Sequence, residues 1–432
     1  MSTTPEQLDF GGAAPLRGRL RVPGDKSISH RALLFAALAS GRSELTHLAT
    51  GEDVHATRLA LGHLGVKART KGEIVTVQSS GAAGLREPEA VLDCGNSGTT
   101  LRIISGVLAR CPFLTVLTGD ASLRTRPMLR VIEPLRAMGA TADGRDGGEH
   151  APIAIRGGQL RGVRHELPVA WAQVKSALLV AGLGAEGVTE VVSPAPSRDH
   201  TERMLAALGV PLEVDGLAVR VRAGEPEAFA LDVPGDPSSA AFFVVAASIT
   251  PRSEIVLEDV SINPTRLGFV DVLLRMGADI EIVPSGDRCG EPVGDIVVRA
   301  APLHGTVIEG DEIPNVQDEV PVLAMAAAFA DGVTEVRDAA ELAAKESNRI
   351  GTVHQELTQL GIGVEPRADG LVIRGGQPHS GLLKSHGDHR IAMAVAVAAH
   401  AIDGSTTVRG WGAVASSYPE FAEHLAALTG GA

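Results

Sequence analysis

The sequence predicts an α/β protein of two lobes, each built from three repeated units with buried helices. Three observations predict this class. An apolar helix, a strand and an amphipathic helix recur in that order six times along the 432 residues. The strand segments alternate in polarity or are rich in β-branched residues. The 50 glycines and 25 prolines supply the many turns that such a repeat needs.

Each repeat begins with a polar cluster just before its apolar helix. In the first copy, residues 24–39 read GDKSISHRALLFAALA, and residues 61–66 close the copy with LGHLGV. The pentapeptide GVTEV occurs at residues 187–191 and again at 332–336. The six copies begin near Lys26, Ser97, Gln173, Pro237, Asp318 and Asp388. Because self-similarity at a nearly constant spacing indicates a repeat architecture, we expect three copies in each lobe.

The two helices of each repeat differ in polarity. The first is apolar almost all round and should be buried, whereas the second is amphipathic and should cover the outside of the lobe. Strands are predicted at segments such as ELTHLA (44–49) and EIVLEDV (254–260). We expect one discontinuous lobe made of residues 1–22 and 236–432, and a second lobe made of residues 23–235.

Charge and cysteine content exclude several function classes. The 52 acidic residues outnumber the 39 Lys and Arg residues, and the net charge of −13 opposes binding to nucleic acid or acidic lipid. Cys94, Cys111 and Cys289 are odd in number and lack metal-type spacing, as expected in a reducing compartment. The chain starts without a signal pattern, and the apolar stretch 391–402 is too short to cross a membrane. We therefore expect a cytoplasmic protein without nucleic-acid or membrane partners.

The starts of the buried helices carry unusual charges. Cationic side chains stand there at Lys26, Arg31, His389 and Arg390. A cation at a helix N-terminus opposes the macrodipole and destabilises the helix unless an anion lies nearby. Because the free N–H groups of helix starts also bind anions, we infer that several starts face a common anionic ligand. Helix capping is an equally good explanation for the polar residues Asp236, Ser238 and Ser239.

Three further segments agree with an anionic ligand. GNSGTT at residues 95–100 is a helix entry that can present backbone N–H groups to a phosphate or carboxylate, although it is not a P-loop sequence. SLRTRPM at 122–128 places two arginines beside a proline. KESNR at 345–349 puts Lys, Glu and Arg within one and a half helical turns. Alone it is typical of a solvated helix face, but beside the other helix starts it indicates a charge-paired catalytic segment.

These segments together resemble the 3-phosphoshikimate 1-carboxyvinyltransferase family, also called the EPSP synthase family. PGDKSISHRALLFAALA (23–39) and LDCGNSGTTLR (92–102) are similar to its two signature segments. Further motifs follow in the family's order over nearly the full chain: GDASLRTRPM, AQVKSALLVAGL, SRDHTERML, PGDPSSAAF, KESNRI and GDHRIAM. The resemblance implies an inside-out α/β barrel in each lobe, two chain crossings between the lobes, and an active site in the cleft between them.

The resemblance also implies a reaction. The enolpyruvyl group of phosphoenolpyruvate is transferred to the 5-hydroxyl of shikimate 3-phosphate, and phosphate leaves by addition and elimination through a tetrahedral intermediate. No metal or organic cofactor is implied, the partners are the two small-molecule substrates, and a monomer is the default expectation. The acceptor hydroxyl must lose a proton while the donor methylene gains one, so acid–base groups are required on both sides of the reacting carbon.

Residue roles follow by motif from the resemblance. Asp318 is the implied base near the acceptor hydroxyl, Glu346 is the implied proton donor to the methylene, and Lys26 lies between both substrates as a third catalytic residue. The implied phosphoenolpyruvate-binding residues are Lys26, Asn96, Gly98, Arg126, Gln173, Arg349 and Arg390. The implied shikimate 3-phosphate-binding residues are Lys26, Ser27, Arg31, Gln173, Arg198, Asp318 and Lys345. The fork-shaped guanidinium suits both anions, and His389 is expected to support Arg390 rather than transfer a proton.

Two residues depart from the family pattern. Trp171 stands where a serine that helps to hold the acceptor phosphate is common, and Asn348 replaces a usual aspartate. Losing a hydrogen bond to a charged group costs ~1.5–3 kcal/mol. A paralogous enolpyruvyl transferase that acts on a different cyclic alcohol therefore also fits the sequence, with Trp171 stacking in or shortening the acceptor site. The implied phosphoenolpyruvate-binding residues are all present.

Three more functions fit the sequence less well. The related UDP-N-acetylglucosamine enolpyruvyl transferase typically carries a cysteine in a mobile loop, and the corresponding segment 122–128 has none. A binding protein that had lost catalysis would lack Asp318, Glu346 or Lys26, and all three are present. A nucleic-acid enzyme of similar repeat architecture is disfavoured by the acidic balance and by an aromatic content of 3%.

Overall fold

The structure is a computed structural model that describes residues 5–430. Its helices are α1 Lys26–Leu38, α2 Glu52–His63, α3 Gly98–Leu108, α4 Leu129–Ala137, α5 Ala172–Gly182, α6 His200–Ala207, α7 Pro237–Ile249, α8 Gly268–Arg275, α9 Ile313–Val316, α10 Val320–Ala328, α11 Arg349–Gln359, α12 His389–His400 and α13 Phe421–Leu428. Apart from the short α9, they alternate between the apolar and the amphipathic helix of each predicted repeat.

The strands lie between these helices, as the alternating segments predict. They are β1 Gln7–Gly11, β2 Arg17–Leu20, β3 Ser40–Thr46, β4 Lys67–Lys71, β5 Ile74–Ser80, β6 Leu92–Asp93, β7 Leu114–Thr118, β8 Thr141–Arg145, β9 His150–Arg156, β10 Leu160–Arg161, β11 Arg164–Glu166, β12 Ala185–Glu186, β13 Val188–Val192, β14 Leu212–Asp215, β15 Ala218–Arg222, β16 Ala230–Asp232, β17 Glu254–Ser261, β18 Asp279–Arg288, β19 Glu291–Arg299, β20 Val307–Ile308, β21 Val333–Val336, β22 Gly363–Arg367, β23 Gly370–Arg374, β24 Leu382–Lys384 and β25 Ser405–Arg409. The two GVTEV pentapeptides supply β13 and β21, so equal sequences form equivalent strands.

The chain divides into two compact units. Unit 1 contains the residues up to Pro23, then Pro234–Gly286, and those from Pro292 onwards. Unit 2 contains Gly24–Val233 together with Asp287–Glu291, which include the end of β18, the turn after it and the first residue of β19. Both units therefore hold three apolar helices: α1, α3 and α5 in unit 2, and α7, α10 and α12 in unit 1.

Unit 2 repeats one sheet pattern three times. Its four-stranded sheets have the orders β16-β3-β5-β4, β6-β7-β9-β8 and β11-β13-β15-β14. In each sheet the first pair of strands is parallel and the other two pairs are antiparallel. The strand β16 comes from the end of the unit and completes the sheet of the first repeat, which ties residues 230–232 to β3.

Unit 1 uses the same pattern with one shorter sheet. The sheets β18-β19-β17-β2 and β20-β21-β23-β22 have four strands, and the third sheet has the order β1-β25-β24. Its parallel pairs are β2 with β17, β20 with β21, and β24 with β25. The antiparallel partner of β25 is β1, so a strand from residues 7–11 closes the sheet of the last repeat.

The apolar helices form the interior of each unit, as predicted. Every residue of α10 and α12 is buried, and so is every residue of α1 from Ile28 onwards. The amphipathic helices bury only one side; in α4, for example, Val131, Ile132 and Leu135 are buried. A helix with apolar residues on every face is stable when it is surrounded by other elements of the unit, because burying each of its faces removes apolar surface from water.

The two interiors are filled differently. Unit 1 contains a cluster of aromatic side chains whose neighbouring ring centroids lie between 5.0 and 6.1 Å apart: Phe10, Phe242, Phe243, Trp411, Tyr418 and Phe421. Unit 2 relies on close backbone approach, since a Cβ atom at Gly106 of α3 would lie 2.1 Å from the carbonyl oxygen of Ala177 in α5. A small residue at this crossing lets the two helices touch directly.

Candidate functional site

Polar side chains cap four of the six apolar helices, α1, α3, α7 and α12, and one amphipathic helix, α11. Asp25 accepts from the backbone N–H of Ile28, and Ser97 accepts from that of Thr100, at 2.8 and 3.1 Å. The other capping residues are Asp236 before α7, Asn348 before α11 and Asp388 before α12. The capping that the sequence predicts for Asp236 is therefore present. The charged residues next to these caps are held at the helix starts, where N–H groups are available to an anion.

In unit 2, Lys26 occupies the first position of α1. Its ammonium group lies 2.9 Å from the carboxylate of Asp53, which belongs to α2. Asp53 also accepts a hydrogen bond from Thr100 through its backbone carbonyl, at 3.3 Å. The ion pair fixes the position of Lys26 at the helix start. Sequence reasoning missed Asp53, which carries no motif signal of its own beyond its place in the first turn of the second helix.

Arg31 lies one turn further along α1 and is buried. Its Nε donates to Thr201 Oγ1 and its Nη2 to Ser176 Oγ, both at 2.7 Å, while Nη1 donates to the carbonyl of Ser27 at 2.8 Å. Burial lowers the pKa of Arg31 to about 10, against the opposing effect of carboxylates that include Glu202. Arg31 therefore remains charged at neutral pH. Arg198 is close enough to contribute to this lowering of the pKa of Arg31.

A second group of predicted residues meets at the start of α3. Arg126 donates through Nη2 to Asn96 Oδ1 at 2.5 Å and to Ser122 Oγ at 3.3 Å. Asn96 in turn donates to Asp120 at 2.7 Å, so its amide is held between two partners. A Cβ atom at Gly98 would lie 3.5 Å from Arg126 Nη1, which places this glycine against the guanidinium. The structure thus brings Asn96, Gly98 and Arg126 together.

Gln173 joins the start of α5 to α3. Its side-chain oxygen accepts from Arg102 Nη1 at 2.7 Å, and its amide nitrogen donates to Thr99 Oγ1 at 2.9 Å. Arg102 also lies 2.9 Å from the position of a Cβ atom at Gly98. Arg102 was not predicted, although its place four residues after Gly98 in the helix could have indicated a shared face.

Trp171 precedes α5 and makes no side-chain cap. The guanidinium carbon of Arg130 lies 4.7 Å from the centroid of the indole ring, within the range of a cation–π contact. The indole Nε1 is buried without a hydrogen-bond partner among the described residues. Trp171 therefore stacks on a cation of its own unit and offers no hydroxyl at this helix start.

In unit 1, Arg349 is the centre of a charge cluster. The side chain is only 1% exposed. Its Nε lies 2.9 Å from Asp388 Oδ2, its Nη2 lies 2.6 Å from Glu346 Oε2, and its Nη1 lies 3.3 Å from Asp318 Oδ1. Burial alone would lower the pKa of Arg349, but the three carboxylates raise it above its usual value. The same contact lowers the pKa of Asp388 despite the burial of that carboxyl group.

Asp318 lies in the turn between α9 and α10 and faces three cations. Its carboxylate is 3.5 Å from Lys345 Nζ, 3.3 Å from Arg349 Nη1 and 3.6 Å from Arg390 Nη2. Arg390 also donates from Nη1 to the backbone carbonyl of Asp318 at 3.1 Å. The neighbouring His389 is hydrogen-bonded to Ser416 Oγ at 2.6 Å. The structure therefore gathers Asp318, Lys345, Arg349 and Arg390 around one carboxylate.

The KESNR segment differs from its predicted helical form. Only Arg349 is helical; residues 345–348 form the turn before α11, and Asn348 caps this helix by accepting from Gly351 N at 3.1 Å. Asn348 sets the start of α11, because its side chain satisfies a backbone N–H that has no partner within the helix. Lys345 and Arg349 still meet at the carboxylate of Asp318, and Glu346 contacts Arg349.

Three further observations concern metal ligands, cysteine thiols and membrane spans in the part of the chain that the structure describes. Within residues 5–430, there is no group of three or more His, Cys, Asp or Glu side chains arranged to hold a metal ion. Burial raises the pKa of Cys94 to about 12 and those of Cys111 and Cys289 to about 11, so these thiols are protonated at neutral pH. The helices in this range are all too short or too polar to cross a membrane.

Comparisons with known proteins cover nearly the whole chain. The sequence model of the family described as EPSP synthase (3-phosphoshikimate 1-carboxyvinyltransferase) matches residues 11–425. A protein of Chloroflexus aurantiacus named 3-phosphoshikimate 1-carboxyvinyltransferase is 53% identical over 418 residues, which are 95% of this chain and 96% of the relative. A protein of the same name from Geobacillus kaustophilus is 51% identical over 96% of this chain and 98% of the relative.

Solved structures agree with the family match. The EPSP synthase from Acinetobacter baumannii is 42% identical, with 98% of each chain covered and a TM-score of 0.88. The enolpyruvyl transferase NikO from Streptomyces tendae is 19% identical, with 98% of this chain and 97% of that chain covered and a TM-score of 0.78, and shares the fold. The resemblance identified from the motifs is thereby confirmed. The chain belongs to the EPSP synthase (3-phosphoshikimate 1-carboxyvinyltransferase) family.

Proposed function

We propose that this protein is a transferase that moves the enolpyruvyl group of phosphoenolpyruvate to the 5-hydroxyl of shikimate 3-phosphate and releases phosphate. Relatives that are about half identical over nearly the full chain carry the name of this activity. The observation that carries the proposal is the joint contact of Asp318 and Glu346 with the guanidinium of Arg349. Two carboxylates held on one cation supply the two acid–base groups that the reaction needs.

The proposed steps use Asp318 as the base and Glu346 as the acid. The acceptor oxygen adds to C2 of phosphoenolpyruvate, Asp318 takes the hydroxyl proton, and Glu346, which enters this step in its protonated form, gives its proton to C3. The tetrahedral adduct then loses a proton from the new methyl group back to Glu346. The bond between C2 and the phosphate oxygen breaks, and the proton held by Asp318 becomes available to the leaving phosphate. Atoms and protons balance over the cycle, and the proposed steps use no metal ion or organic cofactor.

The donor-binding residues of the proposal belong to both units. Unit 2 supplies Lys26 and Gln173 together with the cluster of Asn96, Gly98 and Arg126. Unit 1 supplies Arg349 and Arg390, whose guanidinium groups lie against carboxylates. A donor anion that binds these arginines must exchange with Asp318 or Glu346, because the guanidinium of Arg349 already contacts three carboxylates. This exchange would free each carboxylate for its role in proton transfer.

The acceptor-binding residues are proposed from both units in the same way. They are Lys26, Ser27, Arg31, Gln173, Arg198, Asp318 and Lys345. Arg31 keeps its charge while buried, and Arg198 lies near it, so a phosphate dianion would meet two guanidinium groups. Trp171 adds an aromatic surface rather than a hydroxyl at this helix start. We further propose that the protein acts as a cytoplasmic monomer on these two small anions.

The reaction is tested by following phosphate release and the vinyl protons of the product by NMR, with phosphoenolpyruvate and shikimate 3-phosphate as substrates. We expect turnover of the wild-type protein, and a fall of ~10²–10⁴-fold in kcat for Asp318→Asn and Glu346→Gln. Both variants should still bind phosphoenolpyruvate in calorimetry. Asp311→Asn, which changes an exposed carboxylate that precedes Asp318 in the chain, is the matched control.

Two outcomes would contradict the proposal. If shikimate 3-phosphate gave no product but another cyclic alcohol did, the acceptor would be wrong and the donor chemistry would stand. If Asp318→Asn and Glu346→Gln kept the turnover of Asp311→Asn, the two carboxylates would have no role as acid and base.

A further inference from the structure

Glu319 is a buried carboxylate that the proposed reaction does not use. It follows Asp318 directly and precedes the first residue of α10. Only 2% of the residue is exposed, and its side chain makes no helix-cap hydrogen bond. An ionisable group is seldom buried to this extent unless it is paired, so the contacts of Glu319 require an explanation.

The two oxygens of Glu319 have different surroundings. Oε1 accepts a short hydrogen bond from Ser238 Oγ and lies 3.5 Å from Arg390 Nη1. Oε2 is buried and has no hydrogen-bond partner among the described residues. The oxygen that accepts the hydrogen bond from Ser238, Oε1, is therefore also the one that contacts Arg390. That same Nη1 donates to the backbone carbonyl of Asp318, so two consecutive residues hold one nitrogen of the guanidinium.

Ser238 is itself fixed by a second buried arginine. Arg266 donates from Nη2 to Asp236 Oδ1 at 2.8 Å and to Ser238 Oγ at 2.9 Å. Arginine can only donate, so Ser238 Oγ must accept from Arg266 and give its own proton to Glu319. The hydroxyl cannot turn away without losing one of these bonds. Ser238, Glu319 and Arg266 therefore form a directed chain that ends on Arg390.

This chain connects the starts of the three buried helices of unit 1. Asp236 and Ser238 belong to the start of α7, Glu319 precedes α10, and Arg390 lies in the first turn of α12. A polar chain of this kind is no more stable than well-packed apolar side chains. Its presence at the three helix starts points to a requirement for geometry rather than for stability.

We infer that Glu319 is a positioning residue that holds Arg390 in the orientation needed to bind the donor anion. The inference rests on the proposed function, in which Arg390 binds phosphoenolpyruvate. The Nη2 group of Arg390 lies 3.6 Å from the carboxylate of Asp318, and this contact is lost when the donor displaces Asp318. Glu319 and the carbonyl of Asp318 still hold Nη1, so the guanidinium keeps its place during the exchange.

Glu319→Gln tests this role, because the amide keeps the volume and can still accept from Ser238 but lacks the negative charge. We expect the KM for phosphoenolpyruvate to rise about tenfold or more, with kcat changed less than about threefold and the KM for shikimate 3-phosphate nearly unchanged. Ser238→Ala should raise the KM for phosphoenolpyruvate in the same direction by a smaller factor. Ile255→Val, a mild change in the interior of unit 1, controls for general loosening.

The outcomes separate this inference from the proposed function. Failure of the wild-type protein to convert the two substrates would overturn the function and, with it, the role of Glu319. If the wild-type protein turns over, unchanged constants in Glu319→Gln overturn the inference alone. So does a fall in kcat without a rise in the KM for phosphoenolpyruvate, or an equal rise for both substrates. If Glu319→Gln does not fold, Ser238→Ala decides: an unchanged KM for phosphoenolpyruvate refutes the role.

Discussion

The two units present similar helix starts but orient their arginines with different partners. In unit 2, amide and hydroxyl groups contribute to this: Asn96 and Ser122 accept from Arg126, and Gln173 accepts from Arg102. In unit 1, Arg349 lies among Asp318, Glu346 and Asp388. An amide orients a guanidinium and leaves its charge uncancelled, whereas a carboxylate both orients the guanidinium and neutralises its charge.

The same repeat therefore carries two kinds of helix start. Helix starts with hydroxyl and amide groups suit the binding of substrate anions, because their dipoles and cations attract negative charge. Helix starts with carboxylates suit proton transfer, and in the proposed function their arginines hold these carboxylates and also bind the donor anion. The repeated backbone supplies the same helix entry in both units, and the side chains decide which task it performs.

The first prediction compares lysine substitutions at Arg349 in unit 1 and at Arg126 in unit 2. Arg349→Lys leaves one ammonium where a guanidinium contacts three carboxylates, so we expect kcat/KM to fall by about 10³-fold or more. Arg126→Lys keeps a cation beside Asn96, and we expect a smaller fall, carried mainly by the KM for phosphoenolpyruvate. Steady-state kinetics with each substrate varied in turn provides the measurement. An equal or larger loss in Arg126→Lys would show that the two units do not differ in this way.

The next effect concerns packing. Gly106→Ala forces a Cβ atom to within 2.1 Å of the carbonyl oxygen of Ala177, so α3 and α5 must separate. We expect a loss of ~1–3 kcal/mol or more in the free energy of unfolding, measured by urea denaturation. Gly62→Ala in α2 is the matched control, because its Cβ atom would meet no neighbour within 4 Å and should leave stability unchanged or raise it. Equal stability of the two variants would mean that the helix crossing adapts freely.

The third prediction compares how one buried histidine from each unit contributes to the pH dependence of stability. Burial lowers the pKa of His30 in α1 to about 3, whereas the unfolded chain titrates near 6.5. As the pH falls from about 6.5 toward 3, the unfolded state takes up a proton that the native state does not, so stability falls. Burial also lowers the pKa of His400 in α12, but its hydrogen bond to the carbonyl of Ala14 opposes the change.

We therefore expect His30→Gln to flatten the loss of stability on acidification more than His400→Gln does. Urea midpoints measured between about pH 7.5 and 5 give the slopes, and the slope rather than the absolute stability is compared. The assignment would be contradicted if His30→Gln kept the wild-type slope, or if the slope of His400→Gln were flatter than that of His30→Gln.

Much of the fold could be predicted from the sequence because its signals are local and repeated. The apolar helices, the alternating strands and the polar helix starts each follow from the residues within one repeat, and GVTEV forms the same strand in both units. KESNR was the exception, since the cap at Asn348 moved the helix start to Arg349. The roles of the site residues were instead predicted from the resemblance of their motifs to a known family.

Local signals are enough to predict the six repeats, the buried helices and the residue types at their starts, because periodicity and capping act over a few neighbouring residues. The partner that each buried charge meets depends instead on how distant segments pack together. Arg349 and Asp388 are 39 residues apart, and Arg390 and Glu319 are 71 apart, yet each pair is in contact. Each pair forms because the fold brings the two helix starts within a few ångströms of one another, and no local sequence pattern encodes that distance.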